Sequence, residues 1–125
     1  LDYQDALAGH PAYDLASLLK DARRDVSIKL RDELTDYFLK QTKFNKELFL
    51  RDYSILSAQR NLKIIGIFAR LSIRDNKPGY LNLIPRVWKN LQDDLLHPSL
   101  TELSSFIKIN VPEPTVSTLQ KINSV

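Results

Sequence analysis

Two carboxylates near the amino end stand where chemistry could be done. Asp2 lies between Leu1 and Tyr3 in the alternating pattern of a short strand end, and the loop after a strand is a common seat for a metal or a phosphate. Its oxygens could ligate a hard cation. Further on, Gly9-His10-Pro11 marks a turn and Pro11 suits the first turn of a helix. Asp14 then falls in an opening turn, where the helix dipole favours negative charge. The same residues also fit a plainer role, Asp2 as a solvated loop carboxylate and Asp14 as a capping charge.

A third candidate is Arg60, which shares an apolar helical row with Leu56 and Ile64 and should therefore be partly enclosed. An enclosed guanidinium requires a carboxylate or phosphate partner, because leaving it unpaired is expensive. An internal salt bridge to Asp14 or Asp52 would satisfy it, as would a substrate-side role. His10 and His97 both stand beside prolines in turns, so neither reads as a catalytic base. Trp88, the single tryptophan, has the spacing of a core residue more than of a sugar-stacking one.

Composition narrows the classes. The 125 residues are one domain's worth, and 43% apolar content is enough for a packed core. Eighteen Lys and Arg against 15 Asp and Glu leave a net charge of only +3, spread along the chain, so no nucleic-acid partner is expected. With no cysteine, disulfide frameworks and thiolate metal sites are excluded, and two histidines make a histidine-rich zinc site improbable. The apolar runs are too short for a membrane span and no secretory signal opens the sequence, so no membrane partner and a cytoplasmic location are expected.

The elements that must position these residues are helices. Ala12, Leu15, Ala16, Leu19 and Ala22 recur at helical spacing, predicting a helix from Pro11 to about Ala22. The charged run from Asp21 to Asp25 reads as a surface corner. Ser27 caps a second helix with Leu30, Leu34, Tyr37 and Phe38 as its expected core face. Asn45 caps the longest helix, running to about Arg74, with Phe44 and Phe49 as a hydrophobic staple. Its rows Ile55, Ala58, Leu62, Ile65, Ala69 and Leu56, Ile64, Ile67, Leu71 should both face protein, and Gly66 predicts close packing of a neighbour.

After the Asn76-Lys77-Pro78-Gly79 turn comes a short helical piece and then a helix turning Val87, Trp88, Leu91 and Leu95 inward. Ser99 and Glu102 have the spacing of a capping box for a helix burying Leu100, Leu103, Phe106 and Ile107. Beyond the break at Pro112 and Pro114, a weak helix carries Leu119 and Ile122. The expected fold is all-α: five or six helices in a single helical domain over 1–125, with a residual strand at Leu1 to Tyr3.

Leu1-Asp2-Tyr3-Gln4-Asp5-Ala6, followed by Gly9-His10-Pro11-Ala12-Tyr13-Asp14-Leu15-Ala16-Ser17-Leu18-Leu19, resembles the aminoglycoside phosphotransferase and choline kinase family. Within that family it is most similar to the bacterial amino-sugar kinases of the cell wall. Gln59-Arg60-Asn61-Leu62-Lys63-Ile64-Ile65-Gly66, Arg74-Asp75-Asn76-Lys77, Leu83-Ile84-Pro85-Arg86-Val87-Trp88 and Leu96-His97-Pro98 continue the resemblance in order. It implies the helical C-terminal lobe of a kinase-like phosphotransferase. Asp2 matches the family aspartate that holds Mg²⁺ against nucleotide phosphates, and Asp14 the aspartate that braces the catalytic loop.

What the resemblance implies is also incomplete. The family's His-x-Asp-x-x-x-x-Asn catalytic loop, its phosphate-contacting Lys and its nucleotide-binding lobe lie upstream of the matched segment, and none is in these residues. Mg²⁺ and ATP would then belong to the complete enzyme, with a small sugar or amino alcohol as the second substrate and the nucleotide-binding lobe as the structural partner. The base is expected outside this chain, and the chain by itself is expected to be inactive. The rival reading is a non-catalytic helical interaction module derived from the same fold.

Overall fold

The computed structural model describes residues 10–75 and 78–123, and among them the fold is all-α, with no strand. The strand expected at Leu1 to Tyr3 lies outside the described residues. Six α-helices follow in order: α1 (Pro11–Leu19), α2 (Ile28–Lys40), α3 (Lys46–Arg74), α4 (Ile84–Asp94), α5 (Thr101–Asn110) and α6 (Val116–Asn123). Short 3-10 turns at Pro78–Leu83 and Pro98–Leu100 lead into α4 and α5.

α1, α4 and α6 pack on α3, whose 29 residues make it about 44 Å long at 1.5 Å per residue. It starts where the sequence puts it, with the Asn45 side chain accepting from the Leu48 amide at 3.0 Å and Phe44 stacked on Phe49. Its first turns hold Phe49 and Tyr53 against Ala12, Leu15, Ala16 and Leu19 of α1. Ala58 and Leu62 meet Leu91 and Leu95 of α4, together with Leu100 and Ile107. Phe68 meets Ile84, Val87 and Leu81, and there α6 docks Leu119 and Ile122. α4 therefore runs back antiparallel to α3.

Several local expectations fail for identifiable reasons. α1 ends at Leu19 rather than Ala22, because Lys20 leaves helical geometry and turns its ammonium into the core. α2 turns a different face inward from the one its leucines suggest. Leu30, Leu34 and Tyr37 are exposed, while Arg31, Thr35 and Phe38 face the bundle. Arg31 is drawn in by Asp93 at 3.1 Å, and Phe38 by its ring contacts with Phe44 and Phe49. Gly66 is exposed and a methyl there would meet nothing within 4 Å, so no neighbour among the described residues accounts for it.

On the outer side of α3, Ile55 is exposed, so the first of its two apolar rows is only partly covered. The Ser99 and Glu102 capping box does not form. The His97 ring instead accepts from the Ser99 amide at 3.2 Å and contacts the Ser99 hydroxyl, diverting it from the helix. Phe106 of α5 points outward as well. None of the helices among the described residues is long and apolar enough to cross a membrane.

Candidate functional site

α1 links the two ends of the candidate site. At its start, His10 is the N-cap: its Nδ1 accepts from the Ala12 amide at 3.0 Å, and Nε2 faces Asp52 at 3.3 Å. The capped turn orients Asp14, which is exposed and forms no hydrogen bond or ion pair with another described residue. Asp2, the expected metal ligand, lies outside the described residues. The segment Asp14 is expected to brace lies outside them too.

Arg60 is half-buried on α3, and its Nη1 is fully buried without a hydrogen-bond partner among the described residues. Neither expected bridge forms, since Asp14 is exposed on α1 and Asp52 pairs with His10 and Arg51. Asp14 and Arg60 do not bond to each other, and where Asp2 would stand relative to them lies outside the described residues.

At the other end of α1 is a polar centre the sequence did not suggest. The Lys20 ammonium donates to Asp94 Oδ1, and Asp94 Oδ2 accepts from the Ser57 hydroxyl and the Asn61 amide, each at 2.8 Å. All four residues are buried, and the ammonium also lies over the Tyr53 ring, 5.4 Å from its centroid. Burial raises the Asp94 pKa above the usual carboxylate value, outweighing Lys20, Ser57 and Asn61, which favour the charged form. Burial likewise raises the Tyr53 pKa, with Asp94 adding to the shift, so its hydroxyl keeps its proton.

A signal for this centre was present. Val87, Asn90, Leu91 and Asp94 share one face of α4, and Ser57 and Asn61 stand four apart beside Ala58 and Leu62 on α3. Polar residues inside apolar rows ask for partners across the interface. Only Lys20, following Leu19 at the end of a short helix, carried no such periodic mark.

Above this centre a pocket of about 470 Å³ opens under α2. Ile28, Arg31 and Asp32 line it from α2, Leu50 and Tyr53 from α3, and Asp93 at the end of α4. Arg31 spans the opening: Nη1 donates to Asp93 Oδ2 at 3.1 Å and Nε to the Val26 carbonyl at 3.0 Å. The connector between α1 and α2 is tied down by Arg86, which grips Asp25 through Nε and Nη2 and the Ala22 carbonyl through Nη1. The arrangement can hold a small polar ligand. Among the described residues no three His, Cys, Asp or Glu side chains converge to hold a metal ion.

No family model matches the chain. The chain is similar to bacterial N-acetylmuramate/N-acetylglucosamine kinases. It is 42% identical to the one from Caulobacter vibrioides over 116 residues, covering 92% of this chain and 32% of that protein. Identity to the Pseudomonas aeruginosa kinase is 38% over 115 residues, 86% of this chain and 34% of the kinase. For the Neisseria meningitidis kinase it is 40% over 94 residues, 69% of this chain and 28% of the kinase. The chain thus spans about a third of the length of these N-acetylmuramate/N-acetylglucosamine kinases.

Proposed function

We propose that the chain is the helical C-terminal portion of an ATP-dependent amino-sugar kinase, acting in the cytoplasm in cell-wall recycling. The observation that carries this reading is 36–42% identity to several proteins bearing the same kinase name, over most of the chain. The complete enzyme would move the γ-phosphoryl group of ATP to a sugar hydroxyl. Such transfer depends on alignment and on neutralising phosphate charge more than on covalent chemistry.

In this reading Asp2 supplies a carboxylate for Mg²⁺, a hard cation that takes oxygen donors and neutralises phosphate charge when bound. The described residues offer no acidic cluster for that ion, so the assignment rests on the family resemblance of the residues around Asp2. Asp14, held at the start of α1 by the His10 cap, braces the catalytic loop of the complete protein through hydrogen bonds. Arg60 is a substrate-side residue, and its buried Nη1, without a partner among the described residues, supports that role. The base and the phosphate-binding Lys come from the nucleotide-binding part of the protein.

The test is ATP-dependent phosphorylation of N-acetylglucosamine and N-acetylmuramate by the whole protein, followed by product analysis. Asp2→Ala should abolish turnover while the circular dichroism spectrum and melting temperature stay as in the wild type. Turnover near the wild-type rate at saturating Mg²⁺ would remove Asp2 from the site. The 125-residue polypeptide alone should form no sugar phosphate. A whole protein that is folded yet transfers no phosphate to either sugar would favour the non-catalytic module.

A further inference from the structure

α2 has three faces. Thr35, the one buried residue of its thirteen, points into the bundle with the half-buried Arg31 and Phe38 beside it. Lys29, Glu33, Asp36 and Lys40 are all exposed and form a charged face suited to water. The third face carries Leu30, Leu34 and Tyr37, which at 100° per residue fall within an arc of about 60°. They are 44%, 37% and 64% exposed. Just past the end of α2, Phe44 stacks on Phe38 and is itself exposed, adding apolar surface there.

A surface helix ordinarily turns its apolar stripe towards protein and its charges towards water. Here Arg31 on Asp93, and Phe38 on the rings of Phe44 and Phe49, hold the inner face, so the stripe looks outward. Scattered exposed apolar side chains need no explanation, but three in helical register beside a charged face do.

Two observations indicate what meets the stripe. The chain spans about a third of the length of its curated relatives, so a complete protein of that kind has about two thirds of its residues outside this segment. The described residues start at His10, whose ring lies 6.1 Å from Phe49, and Phe49 lies 5.4 Å from Phe38 of α2. The point where preceding chain joins is therefore close to this helix. Parts of one chain tethered at short range have a high effective concentration, so a few apolar side chains suffice to seat one on another. A second copy lacks that advantage. Stable association of separate proteins takes about 20–30 residues a side, far more than this stripe supplies.

We propose that Leu30, Leu34 and Tyr37 form a docking surface for a part of the complete protein outside these 125 residues, which seats its own apolar side chains on α2. The surface rests on the reading that the chain belongs to a longer kinase, but on its length and not on its chemistry.

The experiment places the photocrosslinker p-benzoylphenylalanine at Tyr37 of the whole protein, or at Lys40 as the control, and maps the cross-linked peptides by mass spectrometry. Tyr37 should give an intramolecular cross-link to a peptide outside the 125 residues, and Lys40 none. Leu34→Asp, which puts a charge in the stripe, should lose the Tyr37 cross-link, and Glu33→Ala on the charged face should keep it. Leu34→Ala, which removes apolar surface without adding charge, should weaken the cross-link and serves if Leu34→Asp does not fold.

A cross-link between two molecules would make a second copy the occupant and overturn the proposal. So would one confined to residues 1–125, one equally strong from Lys40, or none. Sugar phosphorylation is measured on the unmodified whole protein alongside. A protein that cross-links as expected but phosphorylates neither sugar defeats the kinase reading alone, and an active protein without the cross-link defeats the docking surface alone.

Discussion

At the residue scale the centre of interest is Asp94, a carboxylate held in the interior by one ammonium and two neutral donors. Because burial raises its folded pKa above the unfolded value, the folded state keeps its proton to higher pH than the unfolded chain does. The stability this group contributes is therefore present below the ordinary carboxylate range and is lost as pH rises through the raised value. Urea unfolding at stepped pH should show the wild type losing stability relative to Asp94→Asn across that window. Lys20→Met leaves the carboxylate with only Ser57 and Asn61, and should cost about 3–5 kcal/mol near neutral pH. Its penalty should shrink in acid, where the carboxyl takes a proton; an undiminished penalty would show that the lost ammonium's packing matters more than its charge.

Element-scale features were largely readable where they depend on neighbours in sequence. Ser27 and Asn45 cap α2 and α3 through bonds three residues long, and Phe44 with Phe49 closes the staple, because each device is complete within one turn. Two of the failures involve a competing partner, one local and one distant. The His97 imidazole takes the amide and hydroxyl of Ser99, and Asp93, on a distant helix, rotates α2 by claiming Arg31. Hydrophobic spacing on α2 could not foresee that an ion pair would choose its face. Gly66 is the opposite case, a residue with no counterpart in the structure. With open space where a methyl would go, Gly66→Ala should raise stability by about 0.5–1 kcal/mol in chemical denaturation. A loss instead would mean that another part of the complete protein packs there.

Among the described residues, α1, α4 and α6 are locked to α3 by three apolar clusters, whereas α2 adds only the half-buried Phe38 and Leu39 to the edge of one and is otherwise attached by an ion pair and a surface bridge. Helices with few buried apolar contacts open at low free-energy cost. Amide exchange in α2 of the 125-residue polypeptide should accordingly be much faster than in the central turns of α3 and α4, and equal protection would show that α2 is covered in solution. The sequence made the bundle legible because its periodicity is strong. It could not show the Lys20 centre or the pocket, since both arise only where three helices meet. Asp2 and Asp14 were read through family resemblance, which points to roles without supplying distances.

The unbroken run of α3 has one more consequence, for how this segment can change over evolutionary time. A residue added near Asn61 would turn every later side chain by about 100° around the axis, the angle per residue of an α-helix. Phe68 would swing off α4 while Phe49 stayed on α1. Relatives can therefore exchange residues along this rod or alter the loops at its ends, but insertions and deletions within it should be rare.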